Sequence, residues 1–543
     1  MNRTYRSIFA VLLVVVMLSM LPTGCTGNSP AASGSGTLTF PLYQELDTLD
    51  PQAQNSMPGA NIGILCYEGL TRVVEGKVQP GVAETWEISS DGKTYTFHLR
   101  ESKWSDGTPV TAQDFEYAVK RLVDPANGFA YSWAAGAIAG AADFNSGKIT
   151  DPGQIGIKAL DEKTLEIKLL YPAKYFLSYL QLSCFMPAPK AMADKQGKKY
   201  GSEADTVLYN GPFIVKEWQH EQSITLEKNP GYWDKDKIKL ASIKAIRVNE
   251  FNTALNMFEN GELDLCEVPS NMVEQYKSNP NFKLYMSGAD DWIKFNLTLQ
   301  DKPWLQNVDF RKAINFAIDR EEIMNLATMG VYKPATRFVL PIMAGVKGYY
   351  CDEYPIDIYP SKADPSKAKE YLDKAMQALK ITDPKQISVE FLISEKEENR
   401  IFAEAMQDQV TRNLGIDFTI KMLPRKQQLD MDMKGQFDLV YSGWAPDYDD
   451  PLTYLEYYES GNPSNSGKYN NPEYDRLVEA GRFETDPAKR CQYYADAEKL
   501  LLEDAAIAPL NFRQKPWVCK DTVKNITRYF IGSDLDLTYA TVE

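Results

Sequence analysis

The sequence predicts an α/β protein of more than one domain, and three observations predict it. The chain is 543 residues long, more than a single hydrophobic core usually organises. The stretch "TWEISSDGKTYTFHLR" alternates like a β-hairpin and leads into a capped helical pattern. Residues 387–444 then read strand, helix, strand, helix, strand, which calls for a parallel sheet with right-handed crossovers.

Taken in order, the chain opens on a targeting segment. Arg3 and Arg6 precede an apolar run from Ile8 to Leu21, too short to span a bilayer comfortably. The run ends in "LPTGC", where Thr23, Gly24 and Cys25 resemble a bacterial lipobox and Pro22 stands where that motif usually has leucine. Residues 1–24 therefore read as a signal peptide, and Cys25 as a lipidated residue. Residues 25–36, rich in glycine, serine and alanine, read as its flexible tether.

Next comes the hairpin: Trp86 and Ile88 alternate, Asp91-Gly92 supplies the turn, and Tyr95, Phe97 and Leu99 share one face. Thr111 with Asp114 three residues on marks a helix start, after which Phe115, Ala118, Val119 and Leu122 recur at helical spacing until Pro125. "KTLEIKLL" is a further alternating strand, and "FRKAINFAIDREEIMNLATMG" predicts one strong helix ending at Gly330. In the strand–helix repeat, "ISVEFLIS", "IDFTIKML" and "FDLVYSGW" are the strands. Ligands of open α/β sheets bind beyond the carboxyl ends of strands. Trp444 to Asp450, "WAPDYDD", lie at such an end.

Composition narrows the function. Lysine and arginine number 59 against 74 acidic residues, a net charge of −15, which excludes a phosphate-tracking nucleic-acid surface. With two histidines, His98 and His220, and no motif around either, a nucleophile–histidine pair has no support. Three aspartates within one loop make a poor acid–base pair across a sugar. An EF-hand loop begun at Asp447 would need glycine and glutamate where Leu452 and Tyr458 stand, although another oxygen-ligated site stays open. The remaining chemistry is a counterion: one carboxylate at a strand end, beside an indole ring, holding an ammonium group. Asp447, nearest the strand, is the candidate, with Asp449 and Asp450 free to cap the following helix. No cofactor and no metal is expected. Beyond Cys25, six widely spaced cysteines form no C-x-x-C pair and are compatible with disulfides or with burial as thiols.

Several long blocks in a fixed order carry a resemblance. They include "VQPGVAETWEISSDGKTYTFHLRESKWSDGTPVTAQDFEYAVKRLVDP", "NGPFIVKEW", "LEKNPGYWD", "DFRKAINFAIDREEI", "GWAPDYDDPLTYLE" and "YNNPEYDRLV". Over residues 37–543 the chain resembles the oligopeptide- and dipeptide-binding lipoproteins of ATP-driven (ABC) importers, bacterial solute-binding family 5. The resemblance implies a two-lobed, periplasmic-binding-protein-like fold with an inserted domain and the ligand in the inter-lobe cleft. Its expected limits are 37–67, 191–291 and 513–543 for the first lobe, 68–190 for the insertion and 292–512 for the second lobe.

The resemblance also implies a non-enzymatic receptor, held as a monomer on the outer face of the cytoplasmic membrane or in the periplasm, that hands peptides to permease subunits. On that pattern Asp447 takes the peptide's α-amino group, and Trp444, after Gly443, lines a side-chain pocket. Tyr131 lies beside the peptide backbone, with Asn55 and Met57 opposite, and Trp292 is a further wall. Tyr441 stands where some members have a carboxylate-holding arginine and Asn399 near a histidine position. Lys347 matches a lysine that meets the carboxyl end of longer peptides. This disfavours dipeptides. A non-peptide solute such as an oligosaccharide or metal chelate, or a surface chaperone or adhesin role, is the alternative.

Overall fold

The computed structural model describes residues 36–74 and 76–543, so the segments read as signal peptide, lipidated Cys25 and tether, up to residue 35, lie outside the described residues. Three sheets organise the rest. In the first, Thr37–Leu42 runs parallel to Ser242–Arg247, followed by Ser223–Lys228 and Phe213–Gln219 in antiparallel order.

The second sheet holds the hairpin, Ala83–Ile88 with Thr94–Leu99, extended by Thr164–Lys168 and Ile157–Ala159. Gly92 turns it at φ 70°, and Tyr95, Phe97 and Leu99 point into the core while His98 faces out. Helix Ala112–Val123 packs on this sheet, its start secured by a capping box in which Thr111 and Asp114 satisfy each other's backbone N–H groups.

The third sheet has seven strands and contains the predicted repeat. Ser388–Ser394 is flanked on either side by Asp417–Leu423 and Leu439–Trp444, both parallel to it. Helices Glu397–Leu414 and Arg425–Met433 make the crossovers. Two long antiparallel strands, Phe282–Phe295 and Ile507–Cys519, then tie the lobes together. At one end Ile507–Cys519 pairs with Leu265–Glu267, and at the other Phe282–Phe295 pairs with Leu439–Trp444. Their shared register breaks between Met286 and Asp290 and again after Asp291. Gly288, at φ 73°, sits in the first irregularity, where a Cβ would come within 2.1 Å of the Phe530 carbonyl oxygen. Only glycine fits there.

One expectation fails. The helix predicted to run through to Gly330 is two helices, Val308–Ala317 and Arg320–Thr328, with Ile318 extended between them. Asp319 caps the second helix by accepting from Glu322 N at 2.8 Å. The fully buried Arg320 guanidinium donates to the carbonyls of Asn315, Pro360 and Pro509. A buried cation with that many acceptors outweighs the modest propensity favouring a continuous helix. All six cysteines among the described residues are free thiols. Among the described residues, no helix is long and apolar enough to cross a membrane.

Candidate functional site

Strand Leu439–Trp444 delivers Trp444, directly after Gly443, to the cleft, and the chain then turns so that Thr453 holds the loop. Its hydroxyl accepts from Asp447 N at 3.1 Å, with the Trp444 indole N–H 3.5 Å away. Trp444 meets Tyr457 edge-on, ring centroids 5.5 Å apart. Tyr457 is fixed in turn by the buried Lys294, whose ammonium donates to its hydroxyl (2.9 Å), to Asp432 (2.9 Å) and to Ser466 (2.8 Å).

These groups form one wall of a cavity of about 230 Å³, whose opposite wall is Trp133, Tyr171, Tyr175 and Tyr179 of the 68–190 region. Tyr448 closes its side by stacking on Tyr175 at 3.8 Å. The Asp447 carboxyl group faces this cavity. Burial, with the Glu456 charge adding to it, pushes its pKa up to about 7, and no cation offsets either effect. The other two aspartates of the loop serve the scaffold. Asp449 accepts from Ala344 N at 2.7 Å, and Asp450 caps Leu452 N at 3.0 Å while pairing with Arg490 at 2.6 Å. The three carboxylates thus turn to different partners rather than to a common centre.

A second cavity, about 210 Å³, is lined by Asn55, Met57, Tyr131, Gln181 and Ser183. Tyr131 and Trp133 stand 5.7 Å apart between the two cavities, and Asp447 contributes to raising the Tyr131 pKa, after burial. The fold therefore gathers Asp447, Trp444, Tyr131, Asn55 and Met57 along one cleft.

It does not gather the others. Trp292, expected as a wall, is fully buried: its indole donates to Tyr458 at 2.7 Å and its ring supports Tyr457 from beneath. Both faces of its strand are covered, so an aromatic there becomes core. Asn399 is buried and donates to Ser394 O at 3.0 Å, closing the start of its own helix. Tyr441 is buried against Phe402 with its hydroxyl toward Asp291. Lys347 is exposed on a loop pinned by Glu353 and lines neither cavity.

Sequence reasoning missed a pair that shapes this end of the strand. Arg513 donates through Nε (2.8 Å) and Nη2 (2.5 Å) to Asp291, which also accepts from Asn511 at 2.7 Å. A Cβ on Gly443 would lie 2.4 Å from Asp291 Oδ1 and 3.4 Å from Arg513, which explains the glycine. The Arg513 cation beside Tyr441 comes from the neighbouring crossing strand and is already paired. Glu456 and Thr453 were also missed, although both lie in the block following the aspartates.

Two lobes bridged by paired strands, with a lined cleft and an uncompensated carboxylate inside it, define a ligand-capturing receptor. The comparisons make the class specific. Residues 77–466 match the bacterial extracellular solute-binding proteins, family 5, and the chain belongs to that family. It is 34% identical to the dipeptide-binding protein DppE of Bacillus subtilis over 536 residues, covering 96% of this chain and 97% of the relative. It is 32% identical to the oligopeptide-binding protein OppA of the same organism, covering 97% of each. The solved structure of Listeria monocytogenes OppA bound to peptide superposes with a TM-score of 0.73 at 31% identity, covering 94% of this chain and 99% of that one.

Proposed function

We propose that the chain is an extracytoplasmic receptor that captures peptides in its cleft and passes them unaltered to an ABC importer. Asp447 carries the reading: a carboxylate facing a cavity with no protein cation to offset it is completed by a ligand's α-ammonium group. Trp444 then borders the first side chain, and the peptide backbone runs as an added strand past Gly443 and Tyr131, with Asn55 and Met57 opposite. The names of the relatives, binders of dipeptides and oligopeptides, and the peptide held by the Listeria protein support the same class of ligand. The site binds without chemistry, so the protein is a receptor rather than an enzyme. In this reading the first lobe comprises 37–67, 191–291 and 513–543, the insertion 68–190 and the second lobe 292–512. The protein works as a monomer.

Main-chain pairing supplies most of the affinity in such a mode. Peptides of equal length and varied interior sequence are therefore expected to bind within about 1.4–3 kcal/mol of one another, roughly 10- to 150-fold. Calorimetry on such a panel, with an oligosaccharide as the contrasting ligand, tests the proposal. Binding of the sugar alone, or of a single sequence alone, overturns it.

The lipobox-like "LPTGC" supports anchorage at Cys25, with the neutral segment after it as tether. Cys25→Ser is expected to release the protein from the membrane fraction into the medium. A variant that stays membrane-bound, beside a wild type carrying no lipid by mass spectrometry, would disprove the anchor.

A further inference from the structure

We infer that the cavity beside Asp447 is selective for a peptide whose first side chain is cationic, of the lysine or arginine kind, and that Glu456 is the residue that selects it. The inference rests on the peptide reading above and adds a substrate preference to it.

The argument begins with the charges around the cavity. Glu456 lines the same space as Asp447, and its side chain is 31% exposed. One oxygen accepts from the Tyr448 hydroxyl at 2.6 Å, a neutral partner. Arg482 pairs with the other oxygen at 3.6 Å, and the same guanidinium gives two bonds, 3.0 and 2.5 Å, to Glu459, so the two glutamates share it. Asp447, Glu456 and Glu459 are thus served by one arginine. When all three are ionised, two negative charges beside the cavity stay in excess of that one cation. An α-ammonium group on Asp447 compensates one of them. The second is shared by Glu456 and Glu459 across Arg482, and of these two it is Glu456 that lines the cavity beside Asp447, so a first side chain entering the cavity meets it.

The remaining walls suit a long cationic side chain. Trp133, Tyr171, Trp444 and Tyr457 offer ring faces along which an aliphatic stem packs and a cationic head is attracted, while Asn462 and Ser464 offer polar groups to that head. An acidic first residue adds a further negative charge beside Asp447 and Glu456. An apolar one fills the space but leaves Glu456 with only its share of Arg482 and further desolvated.

The test compares four peptides, identical except at the first residue, by calorimetry at fixed low salt on wild type and Glu456→Gln. The first residues are lysine, norleucine (the same stem without the charge), glutamate, and lysine with its α-amine acetylated. On wild type, lysine is expected to exceed norleucine by about tenfold, and glutamate to bind weakest. In Glu456→Gln the lysine-to-norleucine ratio is expected to fall to about one, a change that a general loosening of the site would not produce because both peptides would suffer alike. Equal affinities for lysine and norleucine on wild type, or a ratio that survives in Glu456→Gln, overturn this inference and leave the peptide reading standing. Failure of every free-amine peptide to bind overturns both. If acetylated lysine binds as well as the free-amine form, the pairing at Asp447 falls, and the placement of the first side chain against Glu456 falls with it.

Discussion

Replacing Asp447 with asparagine is expected to weaken binding of a free-amine peptide by about 3–5 kcal/mol, roughly 150- to 5,000-fold, with the fold intact. The physical cause is an ammonium group brought into a cavity that no longer offers it a counter-charge. Acetylating the peptide's N-terminus removes the other half of the pair and should do similar damage on the wild type. Together the two changes should cost far less than their sum, because each removes the same interaction. Calorimetry on the four protein–peptide combinations gives the coupling directly. Full additivity, or unimpaired binding of the acetylated peptide, takes Asp447 out of this role. A calcium site in the same loop predicts instead that chelator abolishes binding.

The pH dependence follows from the same group. In the empty protein the Asp447 pKa is raised to about 7, chiefly by burial. The carboxyl group must ionise to hold an ammonium, so affinity should fall about tenfold between pH 8 and pH 6. The stability sign is opposite for the empty protein. A carboxyl group whose folded pKa is raised costs nothing below the ordinary carboxylate range and becomes progressively destabilising as pH rises through that range to about 7. Bound peptide should remove that cost.

The other large effect is expected at Asp291. Its side chain is fully shielded and receives two bonds from Arg513 and one from Asn511, joining the two crossing strands beside Gly443. Asp291→Ala leaves a guanidinium and an amide without their acceptor. The expected loss is about 1–3 kcal/mol, less than for a fully buried pair because the Arg513 side chain is 39% exposed and its guanidinium can turn to water. Urea unfolding followed by tryptophan fluorescence measures it, and Asp291→Asn, which retains an acceptor oxygen, should lose less. A change below about 1 kcal/mol for the alanine variant would mean that the pair behaves as an exposed one. The adjacent Asp290 makes a useful contrast. It is also buried, but its Oδ1 has no hydrogen-bond partner, and burial followed by the Asp291 charge holds its pKa well above the usual carboxylate range.

Two neighbouring aspartates with such different surroundings show how far the sequence reaches. By itself the sequence determined whatever depends on near neighbours. The capping box at Thr111 and Asp114, the Asp91-Gly92 hairpin and the strand–helix repeat ending at Trp444 are set by interactions a few residues apart, and local pattern reports those faithfully. From the repeat alone it followed that "WAPDYDD" lies at the carboxyl end of a parallel strand, which made Asp447 a candidate. Tertiary structure alone decided the rest. The helix break at Ile318 depends on Arg320 finding carbonyls at Pro360 and Pro509. Trp292 became core because both faces of its strand are covered, a fact that alternation along the strand does not encode. Arg513 and Asp291 meet across 222 positions. The cleft's charge excess likewise depends on one arginine, Arg482, being shared between Glu459 and Glu456. Desolvation and ion pairing act over a few ångströms in space whatever the separation along the chain, so a buried charge's partner becomes known only once the chain has folded.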